Sequence, residues 1–177
     1  MKKITFTIGM LVTLLFVSCG RDGLDGLNGL DGVNILGNVI EVQGSFTEDN
    51  DYSFFYEFPQ TVEVLESDVV LVYLLWDQTT DSNGDAVDIW RLLPQTRLLN
   101  QGILQYNFEH TFFDVDFFLE ADFDLGTLNT ADTDDQVFRI AILPADFASS
   151  KIDKNNMASV MDALSVKEQD ISRVIIE

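Results

Sequence analysis

Five carboxylates recur along the stretch FFDVDFFLEADFDL: Asp114, Asp116, Glu120, Asp122 and Asp124. Two carboxyl groups at a defined separation, one with a raised pKa, are what glycoside hydrolysis requires. Same-face neighbours on a strand, however, stand about 7 Å apart along an open surface. Nothing in the sequence suggests an apolar pocket that would shift a pKa here. A solvated strand face is the plainer reading, and such charges also block edge-to-edge association where the strand is an edge. A second acidic stretch, DSNGD, offers Asp81, Asn83 and Asp85 as hard oxygen ligands for calcium, with Asp88 following. It is not an EF-hand, because Gly84 comes two places early and no acid stands at the twelfth position. TEDNDY and NTADTDDQ are further acidic loops that could share a calcium ion with it at one end of a sandwich; otherwise all three are turn residues.

Other catalytic chemistry lacks its residues. His110 is the only histidine and Cys19 the only cysteine, which excludes zinc sites of the ordinary His/Cys type. His110, beside Thr111 at a strand end, reads as a partly exposed surface residue. The nucleophile elbow G-x-S-x-G, the phosphate loop G-x-x-x-x-G-K-[ST] and a dinucleotide fingerprint after a strand are all missing. Trp76, Trp90 and the Tyr52/Tyr56 pair offer rings for a sugar-binding platform, with core packing as their more ordinary use. No cofactor is expected beyond the calcium ion that Asp81, Asn83 and Asp85 would hold.

From Asn38 onward the chain alternates with the period of half-buried strands. Ile40, Val42 and Phe46 share one parity; Tyr52, Phe54, Tyr56 and Phe58 share another. VVLVYLLW is apolar on both faces, as a covered central strand would be. Asn83-Gly84 predicts a type I′ hairpin turn, with Val87 to Leu93 returning to Pro94. ILQYNFE points Leu104, Tyr106 and Phe108 inward. In the acidic stretch Phe113, Val115, Phe117, Leu119, Ala121, Phe123 and Leu125 occupy the apolar parity, and only Phe118 breaks the comb. The parity change between these two strands predicts a bulge or tight turn near His110 to Phe112. VFRIAILP and ISRVIIE supply two more strands. Met157, Val160, Met161 and Leu164 form the apolar stripe of one helix opening near Asn155 or Asn156. The expected fold is all-β: an antiparallel β-sandwich of about eight strands over residues 38–177, with one short helix in the C-terminal region. A barrel of similar strand count is the alternative.

With 30 Asp and Glu against 10 Lys and Arg, the formal charge is −20. Such a surface repels phosphate backbones and anionic headgroups, so nucleic-acid binding and polybasic lipid docking are not expected. Its plainer consequence is solubility. The 14 phenylalanines and 46% apolar content still allow a substantial core.

The first residues read as a leader. Met1-Lys2-Lys3 is a positive start, and Ile4 to Val17 is apolar but shorter than the roughly 20 residues of a membrane-spanning helix. Phe16-Val17-Ser18-Cys19-Gly20 resembles the lipobox of bacterial lipoproteins, in which the cysteine is acylated and heads the mature chain. Phe16 stands where Leu is commoner. A lone thiol has no disulfide partner in an oxidising compartment, which agrees with its modification. Residues 1–18 are then a lipoprotein signal peptide and residues 19–37 a lipidated tether. Within it, glycine recurs at positions 20, 23, 26, 29 and 32, the collagen period without its proline. Five such triplets read as a flexible leash rather than a trimerising stalk; extended, it reaches on the order of 60 Å.

SCGRDGLDGLNGLDG, VVLVYLLW, WRLLPQT and FRIAILP together resemble uncharacterised lipoproteins of Bacteroidota with a Gly-x-y linker and a β-sandwich domain. The resemblance implies an outer-membrane, lipid-anchored protein at the cell surface or on the periplasmic face. Asp22 and Asp25 soon after the cysteine look like that phylum's surface-export signal. No activity comes with the resemblance. The expectation is a non-enzymatic binding or structural module, attached to the membrane through its lipid, with a glycan or protein ligand. A calcium-stabilised adhesion domain and a glycan-acting hydrolase are the alternatives.

Overall fold

The computed structural model describes residues 37–148 and 151–176, so the leader, Cys19 and the glycine triplets lie outside the described residues. The alternating segments form nine strands: β1 (Asn38–Gly44), β2 (Ser53–Glu57), β3 (Val69–Thr80), β4 (Ala86–Leu92), β5 (Gln95–Leu99), β6 (Gly102–His110), β7 (Asp114–Ala121), β8 (Gln136–Leu143) and β9 (Ser172–Ile175). They pair as a five-stranded sheet, β4-β3-β8-β1-β9, and a four-stranded sheet, β2-β7-β6-β5. Every pairing is antiparallel except β1 with β9.

The sandwich interior is made by one parity from each sheet. Ile40, Val42, Val70, Val72, Leu74, Phe138, Ile140 and Ile142 meet Phe54, Tyr56, Leu104, Tyr106, Val115, Phe117 and Leu119. Phe46 closes the interior, its ring centroid 4.9 Å from Phe54 and 6.1 Å from Phe138. Each such side chain removed from water contributes about 1.5–3 kcal/mol. Gly44 is required here: a Cβ on it would stand 2.6 Å from the Phe54 ring.

The outer face of the five-stranded sheet is covered as well. A short helix follows the apolar stripe, with Met157, Val160, Met161 and Leu164 buried against Val39, Tyr73, Ala141 and Leu143. It spans Met157–Leu164, and the Asn156 side chain caps it by accepting from Ser159 N at 3.2 Å. Two one-turn helices, Thr130–Thr133 and Ala145–Ala148, precede it in the chain, so we number the three α1, α2 and α3 in order. Tyr73 donates its hydroxyl to the Lys154 carbonyl at 2.6 Å, tying the lead-in of α3 to β3.

Several expectations need correction. The strand Gln95–Leu99 was not expected, because its inward positions Gln95 and Arg97 are polar while Leu98 points to solvent. The hairpin after β3 is not type I′. Beyond the Thr80–Ala86 pair Asp81 N donates to Asp85 O at 2.9 Å, Gly84 N donates to Asp81 O, and Gly84 takes positive φ at +89° while Asn83 does not, leaving Ser82, Asn83 and Gly84 as the loop. That is a three-residue loop with glycine in the left-handed position. The strand is shorter than the apolar comb: β7 stops at Ala121, although Phe123 and Leu125 beyond it still pack against the core, and Phe113 lies in the β6–β7 turn with 63% of its surface exposed. Finally, β7 is an interior strand between β2 and β6, so its acids guard no edge.

One charge lies in the dry layer under α3. Arg139 of β8 is 2% exposed. Its Nε donates to Glu41 of β1 at 3.0 Å, and Nη1 and Nη2 donate to the two Glu168 oxygens at 2.7 Å each. Its guanidinium carbon stands 4.1 Å from the Trp90 ring centroid. Glu41 accepts a second bond from Arg173 of β9 at 2.9 Å, so one carboxylate joins β8, β1 and β9. Without Arg139, Glu41 keeps Arg173 and Glu168 is 62% exposed, so the main loss is the volume of a fully buried side chain. Arg139→Ala is therefore expected to lower stability by about 2–5 kcal/mol in urea unfolding, and Arg139→Met, which keeps the volume, by clearly less.

Candidate functional site

The two sheets differ in what covers their outer faces. Helix α3 lies on the five-stranded sheet, whereas no described helix or strand packs on the outer face of the four-stranded sheet. That open face carries Ser53, Phe55 and Glu57 from β2, Asp114, Asp116, Phe118 and Glu120 from β7, and Asn107 and Glu109 from β6. Leu98 of β5 faces Ile103 of β6 farther along, 82% and 47% exposed. Alternation dictates the arrangement: the parity that fills the sandwich is apolar, so the opposite parity must face out.

The pattern breakers make this face distinctive. Phe55 interrupts the polar parity of β2 and Phe118 that of β7, and both point outward at neighbouring register positions, Phe55 opposite Asp116 and Phe118 opposite Ser53. Phe55 is 62% exposed. It borders an open depression of about 540 Å³ lined also by Glu109, His110, Thr111, Asp114 and Asp116. Like charges oppose each other across the strands, Glu57 beside Asp114 and Glu109 beside Asp116. Asp116 Oδ1 is buried and has no hydrogen-bond partner. Burial raises the Asp116 pKa, and the Glu109 and Asp114 charges push it the same way.

The rest of the comb is used locally. Asp114 accepts from the Thr111 hydroxyl at 2.6 Å within the β6–β7 turn. Glu120 accepts from Asn107 at 2.6 Å. Asp122 accepts from Ile103 N at 2.7 Å, and Asp124 caps the 3₁₀ turn Leu125–Thr127 through Gly126 N at 3.0 Å. His110 stacks on Phe108, with centroids 6.3 Å apart.

Asp81, Asn83 and Asp85 sit together at the tip of the β3–β4 hairpin. Asp81 Oδ1 accepts from Asn83 N at 2.8 Å and Asp85 N at 2.9 Å, and Oδ2 accepts from the Asn83 amide. These bonds, Asp85 first, hold the Asp81 carboxyl below the usual range. Its oxygens serve the turn. Among the described residues no group of three or more His, Cys, Asp or Glu is gathered as a metal would need.

The rings pack in the core, as is more ordinary, and the alternative of a sugar-binding platform is not assembled. Tyr56 is in the sandwich core with Tyr52 and Trp76 packed against it, while Trp90 belongs to the helix-side cluster across the sheet. Arg91 and Arg97 lie over the Trp76 ring at 4.0 and 4.7 Å, and Arg97 pairs with the buried Asp132. The outward aromatics are Phe55, Phe112, Phe113 and Phe118, and the available signal for Phe55 and Phe118 was that each violates its strand's alternation.

No protein-family model, curated protein or solved structure matches this chain.

Two outcomes follow from this geometry. The folded pKa of Asp116 stands above its ordinary 3.8, so folding binds the proton more tightly and the ionised group weakens the fold above that pKa. Asp116→Asn should melt higher than wild type at neutral pH, and the gap should close as pH falls below about 3.5; a gap independent of pH contradicts the assignment. Because Asp81 is committed to its turn, millimolar calcium is expected to leave the melting temperature unchanged. A rise that Asp81→Asn abolishes would instead place the ion at the hairpin tip.

Proposed function

We propose that this chain is a cell-envelope lipoprotein, anchored in the outer membrane through lipid on Cys19, that displays a non-enzymatic binding or structural β-sandwich. Its ligand surface is the open face of the four-stranded sheet. One observation carries the reading: the fold covers one outer face with α3 and leaves the other bare, with Phe55, Ile103 and Leu98 exposed on it. Exposed apolar side chains rimmed by polar ones on a sheet face are the ordinary mark of an interaction surface. A glycan or protein ligand suits a face that mixes rings with carboxylates.

The anchor rests on the sequence Phe16-Val17-Ser18-Cys19-Gly20 and on the absence of any second thiol. Among the described residues no helix is long and apolar enough to cross a membrane. Two or more acyl chains suffice for stable attachment, at about 0.8 kcal/mol per buried methylene. Cells fed labelled palmitate should incorporate it into the wild-type chain and not into Cys19→Ser, and the variant should leave the membrane fraction. An unlabelled wild-type protein would remove the anchor from the reading.

A further inference from the structure

The carboxylates that tie this fold together are neutralised by the chain's own arginines. Glu41 has Arg139 and Arg173, Glu168 has Arg139, and Asp132 has Arg97. The open face follows a different rule. The four strands of that sheet carry Glu57, Glu109, Asp114, Asp116 and Glu120, but their only arginine or lysine is Arg97. Arg97 turns to the other side, onto Trp76 and Asp132. The depression beside Phe55 therefore holds three carboxylates and no lysine or arginine, and one Asp116 oxygen there is buried without a partner. The missing component is a positive charge with hydrogen-bond donors.

We propose that this face docks a basic polypeptide segment, one of whose lysine or arginine side chains lies against the Phe55 ring and reaches the carboxylates of Asp116, Glu109 and Asp114. The proposal rests on the reading of the open face as the ligand surface and names the chemistry of its partner. Charge complementarity selects the occupant: anionic polymers are repelled, and a neutral glycan would leave the carboxylates uncompensated. The ring adds to the selection, because a cation over an aromatic face is attracted by its quadrupole. The protein already uses that contact three times, at Arg91 and Arg97 over Trp76 and Arg139 over Trp90. A polypeptide fits better than a small amine because the exposed pair Leu98 and Ile103 extends the face beyond the depression and gives apolar side chains a place to lie.

The test uses the full-length chain in detergent micelles, titrated with an alternating lysine–serine peptide, its glutamate–serine counterpart and cellohexaose. Salt is held at about 150 mM so that distant surface charges are screened. The lysine peptide alone should bind. Phe55→Ser and Asp116→Asn should each weaken it about tenfold, while Asp88→Asn, on β4 of the other sheet, should leave it within about twofold. Melting curves check that each variant is folded, as expected for an exposed ring and an isosteric amide. Equal weakening by Asp88→Asn would mean attraction by net charge alone and would overturn the proposal, as would absence of lysine-peptide binding. Cellohexaose binding lost in Phe55→Ser, with no lysine-peptide binding, would overturn the basic partner yet keep the open face as a ligand surface.

Discussion

A strand lying between a sandwich interior and a helix has no face left for water, and β8 is in that position. Phe138, Ile140 and Ile142 point into the sandwich while Ala141 and Leu143 lie under α3. β3 shares the condition, with Val70, Val72 and Leu74 on one side and Tyr73 on the other. Both strands must be almost wholly apolar, and VVLVYLLW and VFRIAIL are. Arg139 is the exception. A guanidinium confined there survives only with its charge and donors satisfied, which Glu41, Glu168 and the Trp90 ring accomplish together. Glu168 lies beyond α3 and Glu41 on β1, so satisfying one buried cation also fixes where the C-terminal segment returns and lets β9 add beside β1 through Arg173.

Covering one sheet leaves the other bare. Residues 37–148 and 151–176 contain one helix longer than a single turn, and its apolar stripe of Met157, Val160, Met161 and Leu164 is spent on the five-stranded sheet. The four-stranded sheet must then tolerate water on its outer face, and polar outward residues on β6 and β7 meet that need. Phe55, Ile103 and Leu98 do not, and they are what turns a merely solvated face into a surface with something to bury.

Strand periodicity made the architecture legible, since Ile40/Val42, Phe54/Tyr56, Leu104/Tyr106 and Val115/Phe117/Leu119 all lie where their parity puts them. The helix was legible for the same reason, its four stripe residues falling on the covered face. β5 was not, because alternation marks burial and its inward Arg97 is held by Asp132 and Trp76, partners distant in sequence. Arg139 was hidden in the same way, a polar residue inside an apolar run whose meaning depends on Glu168. For the open face, the breaks at Phe55 and Phe118 were visible. That they share a face was not, because register between β2 and β7 is set across the whole of the intervening chain, residues 58–113, by contacts no local pattern encodes.

An exposed sheet face with apolar side chains is ordinarily a hazard, because a second copy can stack on it. Here the acids answer that hazard from within the face. Two copies laid face to face would bring the Glu57–Asp114 and Glu109–Asp116 pairs of one against those of the other, with no lysine or arginine on either side to relieve them. Like charges already crowd within one molecule enough to push Asp116 toward its protonated form, and a second set would add to that cost. Repulsion of this kind falls on any anionic surface and leaves a cationic one untouched. The charges that keep the bare face from pairing with itself are therefore the same charges that give it a preference among partners.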